Sequence, residues 1–512
     1  MKFKTLSITC CSITIELVNS EVYFANENYD VIVDDKVILH DENRNVFTLF
    51  DLEPGHEYKI TIGEDTQFIK TENASYILHV KDFLNDKEDQ TLAIQTAINL
   101  TPKHGLLIID EGIYHITSLF VKDNITINLK RGAVLLGNTK LEDYANIVPE
   151  VKSEDKERLP LELATWEGNP FVGKTSLING FENVGFNIVG EGTIDAQAQD
   201  SPFWIDVKHL TYSRPRVFFL NQCEHFSLIG ITIKNSPCWT IHPYFSKHFD
   251  LLNLNVINPK DAPNTDGLDP ESCTDFRVIG VYFSVGDDCI ALKSGKIYIG
   301  STFKTPCQKV EIRNCYMNEG HGAVILGSEA GAGVKDITVE RCYFKHTDRG
   351  LRIKTRRGRG VDSFIDNIVF KDIVMDNVLT PLVINMFYFC DPDGKCFEVQ
   401  DKNPHKVDET TPYLGSFTFE NIKSTNSEWA LGFFYGLPEQ KIKSITIRNS
   451  SFTVKEGECS KGFPAMMCDI DKYSKAGFIF HNVDTILIDN VKIGGVEGDI
   501  YTTENIGEFR EL

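Results

Sequence analysis

The sequence predicts an all-β protein built mainly as a parallel β-helix. Three segments overlay one another without gaps, each running from β-forming residues through a polar turn into a short motif: residues 275–294, 309–328 and 335–355. In this overlay Gly286 falls on Gly320 and Thr347. Repeats too short to bury a core alone indicate a solenoid, in which every coil adds one strand to stacked sheets.

Four motifs lie at matching points of these coils: NTDG at 264–267, GDD at 286–288, GHG at 320–322 and RIK at 352–354. Equivalent positions on neighbouring coils lie about 4.8 Å apart. We therefore expect Asp287 and His321 to be one rung apart, with Lys354 on the next coil. NTDGLDPES also overlays GDDCIALKS one coil earlier, and we expect Asp266 to lie beneath Asp287. The pattern gathers three carboxylates, an imidazole and two cations on one face of the β-helix.

This grouping suits the cleavage of a glycosidic bond. That reaction requires a carboxylic acid to protonate the leaving oxygen and a carboxylate to attack or to activate water. Like charges at short range raise one pKa and so leave a proton donor near neutral pH. An isolated Asp in a β-helix more often caps a turn, but four motifs in register favour catalysis.

The four motifs, in this order, resemble the signature of glycoside hydrolase family 28, the polygalacturonases. The resemblance extends across roughly residues 78–500 and implies a right-handed, pectin lyase-like parallel β-helix. It assigns Asp287 as the general acid, and Asp266 and Asp288 as the pair that activates water. His321 would tune the protonation of the acid. Carboxylates one rung apart would by spacing alone suggest retention, since inverting pairs usually lie about 6.5–9.5 Å apart. The inverting mechanism is therefore expected from the resemblance alone.

Four further residues are predicted to bind substrate. Arg352 and Lys354 stand at positions i and i+2 of one strand, so both point to the same face and suit a uronate carboxylate. The resemblance makes Tyr388, in NMFYF, a subsite residue. Asn264 is expected to hold the turn that presents Asp266, with contact to a sugar as the alternative.

The function expected from this resemblance is hydrolysis of α-1,4 bonds between galacturonic acid units, from the non-reducing end. The exo-acting mode is predicted from long insertions at 141–180 and 390–413 that could wall the cleft, and from a likeness of NTDGLDPESC and RIKTRRGRG to bacterial exo-acting members. Alternatives are another pectic linkage, such as rhamnogalacturonan or a side-chain galacturonoside, a pectate lyase, and a non-catalytic glycan-binding β-helix. A basic stretch at 345–359 is either a local anion site or a solvated turn.

Two domains are predicted. Residues 1–75 contain short alternating runs typical of an antiparallel β-sandwich, and FTLFDLEPGHEYKI resembles the tyrosine-corner strand of fibronectin type III domains, with Leu52, Pro54 and Tyr58 in place. This unit is expected to be a spacer or cap, with carbohydrate binding as the alternative. Residues 76–512 form the β-helix, whose first coil we expect to be covered by a helix at 89–100.

Composition narrows the remaining choices. The net charge of −21 argues against a nucleic-acid partner, and no segment is apolar enough to span a membrane. The thirteen cysteines lack paired or metal-ligand spacing and are predicted to be reduced. The apolar run at the N-terminus is diluted by Ser and Thr and interrupted by Glu16, which is unlike a signal peptide, so we expect a strand there. The expected location is therefore cytoplasmic, with secretion or a periplasmic location as the alternative. No metal or cofactor is predicted, and the oligomeric state stays open.

Overall fold

The computed structural model describes residues 1–147, 163–209 and 213–512. It confirms the predicted fold class: a long parallel β-helix follows a small antiparallel β-sandwich. Within the described residues, no helix is both long and apolar enough to cross a lipid bilayer.

Three parallel sheets run along the β-helix, and we name the first the cleft sheet because it carries the four motifs. Single-residue bridges at Leu268 and Glu271 link its two halves. Its strands are Leu119–Phe120, Ile178–Phe181, Phe218–Asn221, Ile241–Tyr244, Asp288–Leu292, Gly322–Gly327, Arg349–Lys354, Thr380–Asn385, Ala430–Tyr435 and the first part of Ala476–Gly494.

The second sheet, the docking sheet, carries the N-terminal sandwich. Its strands are Ile77–His79, Leu106–Ile109, Thr126–Leu129, Asn187–Gly190, Ser227–Ile229, Lys247–Leu252, Thr274–Ile279, Cys307–Arg313, Val334–Glu340, Phe364–Asp376, Tyr413–Leu414, Ser416–Ser427, Ile442–Val454, Ala476–Gly494 and Tyr501–Glu511. The third sheet comprises Gly112–Ile116, Ala133–Gly137, Thr193–Asp195, Thr232–Lys234, Asn255–Ile257, Tyr282–Ser284, Tyr316–Asn318 and Tyr343–Lys345, and then the later parts of the long strands that begin in the docking sheet.

Side chains stack in register inside the solenoid. Phe186, Phe226, Phe249 and Phe276 form one ladder, with ring centroids 5.1, 4.7 and 4.6 Å apart. All thirteen cysteines are free, as predicted, and nine of them are buried. Ring stacking and burial of this kind stabilise one alignment of the coils. That alignment determines where the motif residues lie.

The first coil is covered as expected. The α-helix Thr91–Leu100 buries Ile94, Ala97 and Ile98 against the core. Two further α-helices are short: Ile297–Phe303 and Phe397–Gln400. Single 3₁₀ turns occupy Val80–Asp82, Leu141–Asp143, Ala198–Asp200 and Pro202–Trp204, and two-residue strands pair at Asn146–Ile147 with Gly173–Lys174 and at Thr165–Trp166 with Asn169–Pro170.

The N-terminal sandwich has a three-stranded and a four-stranded antiparallel sheet. The first comprises Phe3–Ile8, Ile13–Leu17 and Val46–Leu49, and the second comprises Lys36–Arg44, Phe24–Val33, Glu57–Ile62 and Asp65–Lys70. The strand expected at the N-terminus is therefore present, and Glu16 within it is fully buried.

The sandwich packs directly on the docking sheet. Cys10, Cys11, Val46 and Phe50 share an apolar cluster with side chains from several coils: Leu106, Ile108, Val189, Ile229, Leu252 and Ile279. Gly230 lies under Phe50, where an added Cβ would come within 2.1 Å of the ring. The sandwich is thus seated on a different sheet from the one that carries the motifs.

Candidate active site

All eight site residues predicted from sequence line one cleft on the cleft sheet. The cleft has an empty volume of about 920 Å³, and its predicted members are Asn264, Asp266, Asp287, Asp288, His321, Arg352, Lys354 and Tyr388. The four motifs come from four successive coils and Tyr388 from the next one, so the repeat alignment did bring the motifs together.

The strand register confirms most of the expected rungs and corrects one. His321 donates its backbone N–H to the Asp287 carbonyl at 2.9 Å, so these residues are one rung apart. Lys354 pairs with Gly327 on the next coil, as expected. However, Leu268 pairs with Ile290, which sets Asp266 opposite Asp288. The prediction that Asp266 lies beneath Asp287 is therefore wrong by one residue. Taken residue by residue, the overlay of NTDGLDPES on GDDCIALKS already places Asp266 on Asp288, and the structure has this register.

The three aspartates form a tight group. Each offers a carboxylate oxygen, and these oxygens lie within 4.8 Å of one another. Asp266 and Asp288 are buried, whereas the Asp287 side chain is 23% exposed. Cationic side chains of the protein lie within 4.0 Å of these aspartates and offset part of their negative charge. That no metal or cofactor is needed stays a prediction.

Asp288 is held as a carboxylate by two cations. Lys354 Nζ lies 2.8 Å from Asp288 Oδ2, and Arg352 Nη1 lies 4.0 Å from Asp288 Oδ1. Burial alone would raise the pKa of Asp288, but Lys354 and Arg352 outweigh it and hold the pKa below its ordinary value. Asp288 is therefore ionised when substrate enters the cleft, as a group that takes a proton from water has to be.

The pKa of Asp266 is shifted in the opposite direction from that of Asp288. Burial raises the pKa of Asp266 well above its ordinary value, and the nearby carboxylates of Asp269 and Asp287 raise it further. The two aspartates that the resemblance assigns to water activation thus differ in how readily they ionise. This difference comes from their neighbours, because both side chains are buried and lie opposite each other on adjacent coils.

Asp287 is paired with His321. His321 Nδ1 lies 3.2 Å from Asp287 Oδ1, and this hydrogen bond raises the pKa of His321 above its ordinary value. Asp287 is also the most exposed of the three aspartates, which gives it access to a glycosidic oxygen in the cleft. The geometry is compatible with proton donation by Asp287.

Asn264 holds a turn, as expected. It has a φ of 56°, in the left-handed region that Asn tolerates, and its Oδ1 accepts a hydrogen bond from Arg214 Nη2 at 2.7 Å. Tyr388 lies across the cleft with its ring centroid 5.8 Å from Lys354 Nζ. Burial raises the pKa of Tyr388, so its hydroxyl stays protonated.

The basic stretch at 345–359 is divided between two tasks. Arg352 and Lys354 face the cleft, whereas Arg356, Arg357 and Arg359 are buried and bound to acidic residues. Arg356 and Arg359 contact Asp391 at 3.0 and 2.7 Å, and Arg357 contacts Glu439 at 2.6 Å. The solvated-turn interpretation is therefore wrong for these three arginines. Arg356 and Arg359 anchor the insertion at 390–413 through Asp391, and Arg357 Nη1 donates to the Asp401 carbonyl of the same insertion at 2.6 Å.

Sequence reasoning missed a buried lysine at the floor of the cleft. Lys293 directly follows the buried strand Asp288–Leu292, and its ammonium group contacts Asp269 and Glu329. It also lies 4.2 Å from the ring centroid of Trp239. A charged residue next to a fully buried strand was the one signal that could have identified it.

Comparisons with known proteins agree with this geometry. The family described as "Glycosyl hydrolases family 28" matches residues 163–461. A "Probable polygalacturonase" of Vitis vinifera is 30% identical over 77% of this chain and 77% of its own length. An "Exo-poly-alpha-D-galacturonosidase" of Dickeya chrysanthemi is 26% identical over 66% of this chain and 60% of its own length.

Solved structures show the same fold. A family 28 exopolygalacturonase of Yersinia enterocolitica superposes with a TM-score of 0.72 at 18% identity, covering 100% of this chain and 98% of its own. The exopolygalacturonase of Thermotoga maritima gives a TM-score of 0.65 at 22% identity, covering 81% of this chain and 91% of its own. The chain therefore belongs to family 28 of the glycosyl hydrolases and is a glycoside hydrolase.

Proposed function

We propose that the protein hydrolyses α-1,4 bonds between galacturonic acid units and removes these units from the non-reducing end of the chain. The observation that carries the exo-acting mode is a salt-bridged wall beside the aspartates. Lys296 Nζ lies 3.1 Å from Asp391 Oδ1 and 3.6 Å from Glu167 Oε2. These two acids belong to the two long insertions, so Lys296 joins them.

The wall is held from both sides. Asp391 is fixed by Arg356 and Arg359, while the backbone N–H of Lys296 donates to Gly168 O at 2.8 Å. Glu167, Lys296 and Asp391 all line the cleft. A polymer cannot lie through a cleft that is closed beyond the bond it cleaves, so only a chain end can enter. Residues 148–162 of the first insertion lie outside the described residues.

The proposed reaction needs one proton donor and one proton acceptor. Asp287 gives its proton to the glycosidic oxygen as the bond from that oxygen to the anomeric carbon breaks. Water attacks the anomeric carbon from the opposite face and gives its proton to Asp288, with Asp266 holding the water. Attack from the opposite face inverts the anomeric configuration. The low pKa of Asp288 and its place beside Asp266 support this division of roles.

The substrate is proposed to be a uronate because cations remain available in an acidic protein. Arg352 and Lys354 line the cleft, and a bound carboxylate would share them with Asp288. The net charge of −21 would otherwise repel a polyanion, so local cations have to supply the attraction.

Digestion of polygalacturonate tests the exo-acting mode. We expect mono- or digalacturonate from the first minutes, with viscosity falling slowly relative to the release of reducing ends. Early mixed oligomers with a rapid loss of viscosity would contradict it. An ultraviolet-absorbing unsaturated product would identify a lyase, and turnover of rhamnogalacturonan in preference to polygalacturonate would favour the alternative linkage.

Two variants test the wall itself. Lys296→Met removes the charge that joins the insertions, and shortening 390–413 to a tight turn removes one of them; both should shift products toward internal cleavage. The control is Lys304→Met, because Lys304 is 63% exposed and pairs with Asp362 on the surface. If Lys296→Met and Lys304→Met give the same products as the parent protein, the wall does not set the mode.

We also propose that residues 1–75 form a fibronectin type III-like domain and that the catalytic unit spans 76–512. The three-plus-four strand arrangement supports this, as does Tyr58, whose hydroxyl accepts a hydrogen bond from the Glu53 backbone N–H at 2.7 Å. Because this domain packs on the docking sheet and not on the cleft sheet, we favour a role as a spacer or cap over carbohydrate binding at the cleft.

A further inference from the structure

Lys293 is a buried cation that has no assigned role in the proposed reaction. Its side chain is 4% exposed, and its Nζ lies 3.2 Å from Glu329 Oε2, 3.3 Å from Asp269 Oδ1 and 3.9 Å from Asp266 Oδ2. The backbone around it is clamped: the Lys293 N–H donates to Pro270 O at 3.0 Å, and its carbonyl accepts from the Ser272 N–H at 2.8 Å. Because this charge is buried and its backbone is fixed, solvent screens its electrostatic interaction with the neighbouring carboxylates only weakly.

The distribution of cations separates the two water-activating aspartates. Asp288 has both Lys354 and Arg352 within 4.0 Å. Among the residues that the structure describes, Lys293 is the one cationic side chain within that distance of an Asp266 carboxylate oxygen. Lys293 also contacts Asp269 and Glu329 at shorter distances, so three carboxylates share a single positive charge.

We propose that Lys293 is a positioning residue that favours the carboxylate form of Asp266, against the burial and the neighbouring carboxylates that disfavour it, and that Glu329 limits this effect by competing for the same ammonium group. This inference rests on the proposed hydrolysis, in which Asp266 holds the attacking water and accepts its hydrogen bond best as a carboxylate. Lys293 acts through Asp266, and its burial keeps it from serving as a main contact for the sugar.

Other charged and titratable groups face this cluster. Those near Lys293 are Asp269, Glu271 and Glu329, and those near Asp266 are Arg214, Asp287, Asp288 and Cys289. Burial raises the pKa of Asp269 to about 7, while Lys293 opposes that rise. Burial would also raise the pKa of Glu329, but Lys293 and Lys296 bring it well below its ordinary value. Glu329 therefore stays ionised and keeps competing.

The signs of two substitutions follow from this arrangement. Lys293→Met removes the charge that favours ionised Asp266, so the pKa of Asp266 rises and the acidic limb of the kcat/KM profile moves to higher pH. Glu329→Gln removes one competitor and one negative charge, so more of the Lys293 field acts on Asp266. The acidic limb then moves to lower pH. A structural disturbance alone does not produce shifts of opposite sign.

The experiment is the pH dependence of kcat and KM on polygalacturonate for the full chain and three variants. For Lys293→Met we expect a limb shifted upward by about one pH unit, hence about a tenfold loss of kcat/KM on the acidic side, carried by kcat with KM nearly unchanged. Lys293→Arg should keep the parent limb, and Glu329→Gln should shift it downward.

Superimposable limbs for all variants, with only a uniform fall in kcat, would overturn the proposal, as would shifts of the same sign for Lys293→Met and Glu329→Gln. If Lys293→Met does not fold, Glu329→Gln and Lys293→Arg still decide the question. Failure of the proposed function is separate, because it would be seen as a lack of galacturonate release by the parent protein.

Discussion

Loss of the buried charge of Glu16 should loosen the N-terminal sandwich from the β-helix. Glu16 is fully buried and accepts hydrogen bonds from Arg313 Nε and Nη2, both at 2.9 Å, from Asn314 Nδ2 at 2.8 Å and from Arg341 Nη2 at 3.0 Å. All of these donors belong to the β-helix. Glu16→Gln keeps the shape and removes the charge, which leaves the buried Arg313 without its buried carboxylate partner and paired with the exposed Glu311 alone among the described residues.

The expected cost is about 3–5 kcal/mol, the range measured when one member of a buried ion pair is removed. The cost also depends on pH. Burial would raise the pKa of Glu16, but Arg313 and Lys4 outweigh it and the pKa is lowered in the folded protein. A lowered pKa means that the stabilisation is complete above the unfolded-state value of about 4.3 and is lost as the pH falls through the lower folded value.

Urea titration with pulse proteolysis measures this cost, because the released sandwich becomes cleavable. The matched control is Glu420→Gln, since Glu420 pairs with Arg448 across neighbouring coils and that arginine is 44% exposed. An exposed pair of this kind contributes less than about 1 kcal/mol. If Glu16→Gln costs no more than Glu420→Gln at neutral pH, the buried pair does not hold the sandwich in place.

Three further predictions concern the cleft. Asp287→Asn should lower kcat by a factor of about 10²–10⁴ while equilibrium binding of oligogalacturonate persists, because an amide cannot donate the proton; retention of more than a tenth of the parent kcat would contradict this role. Arg352→Ala should weaken binding of galacturonate oligomers more than that of their methyl esters, which competition assays can measure, and equal losses would show a structural role. Lys354→Ala should lower kcat on both substrates and move the acidic limb to higher pH, because Lys354 keeps the pKa of Asp288 low; an unmoved limb in the kcat/KM profile would refute this.

Much of the fold and of the site could be predicted because the motifs recur at matching positions of successive coils. Matching motifs on successive coils had to fall on one sheet, and they do. The error at Asp266 lay in reading the overlay by one residue, because NTDGLDPES laid on GDDCIALKS already pairs Leu268 with Ile290, as the structure does.

Partners that are distant in sequence could not be predicted. Lys293 and Glu329 meet because two coils stack, and Glu16 meets Arg313 because a separate domain docks there. Nothing in the local pattern around any of these residues names its partner. The role of the arginines at 356–359 stayed open in the sequence for the same reason, since their acidic partners lie on an insertion and beyond it.

Tetragalacturonate labelled at its reducing end tests the central claim most directly. Time-resolved chromatography follows both the label and the released sugar. The account predicts unlabelled mono- or digalacturonate as the first product, with the label passing stepwise to shorter oligomers. Label in free galacturonate at the earliest times, or an unsaturated product, would contradict hydrolysis from the non-reducing end.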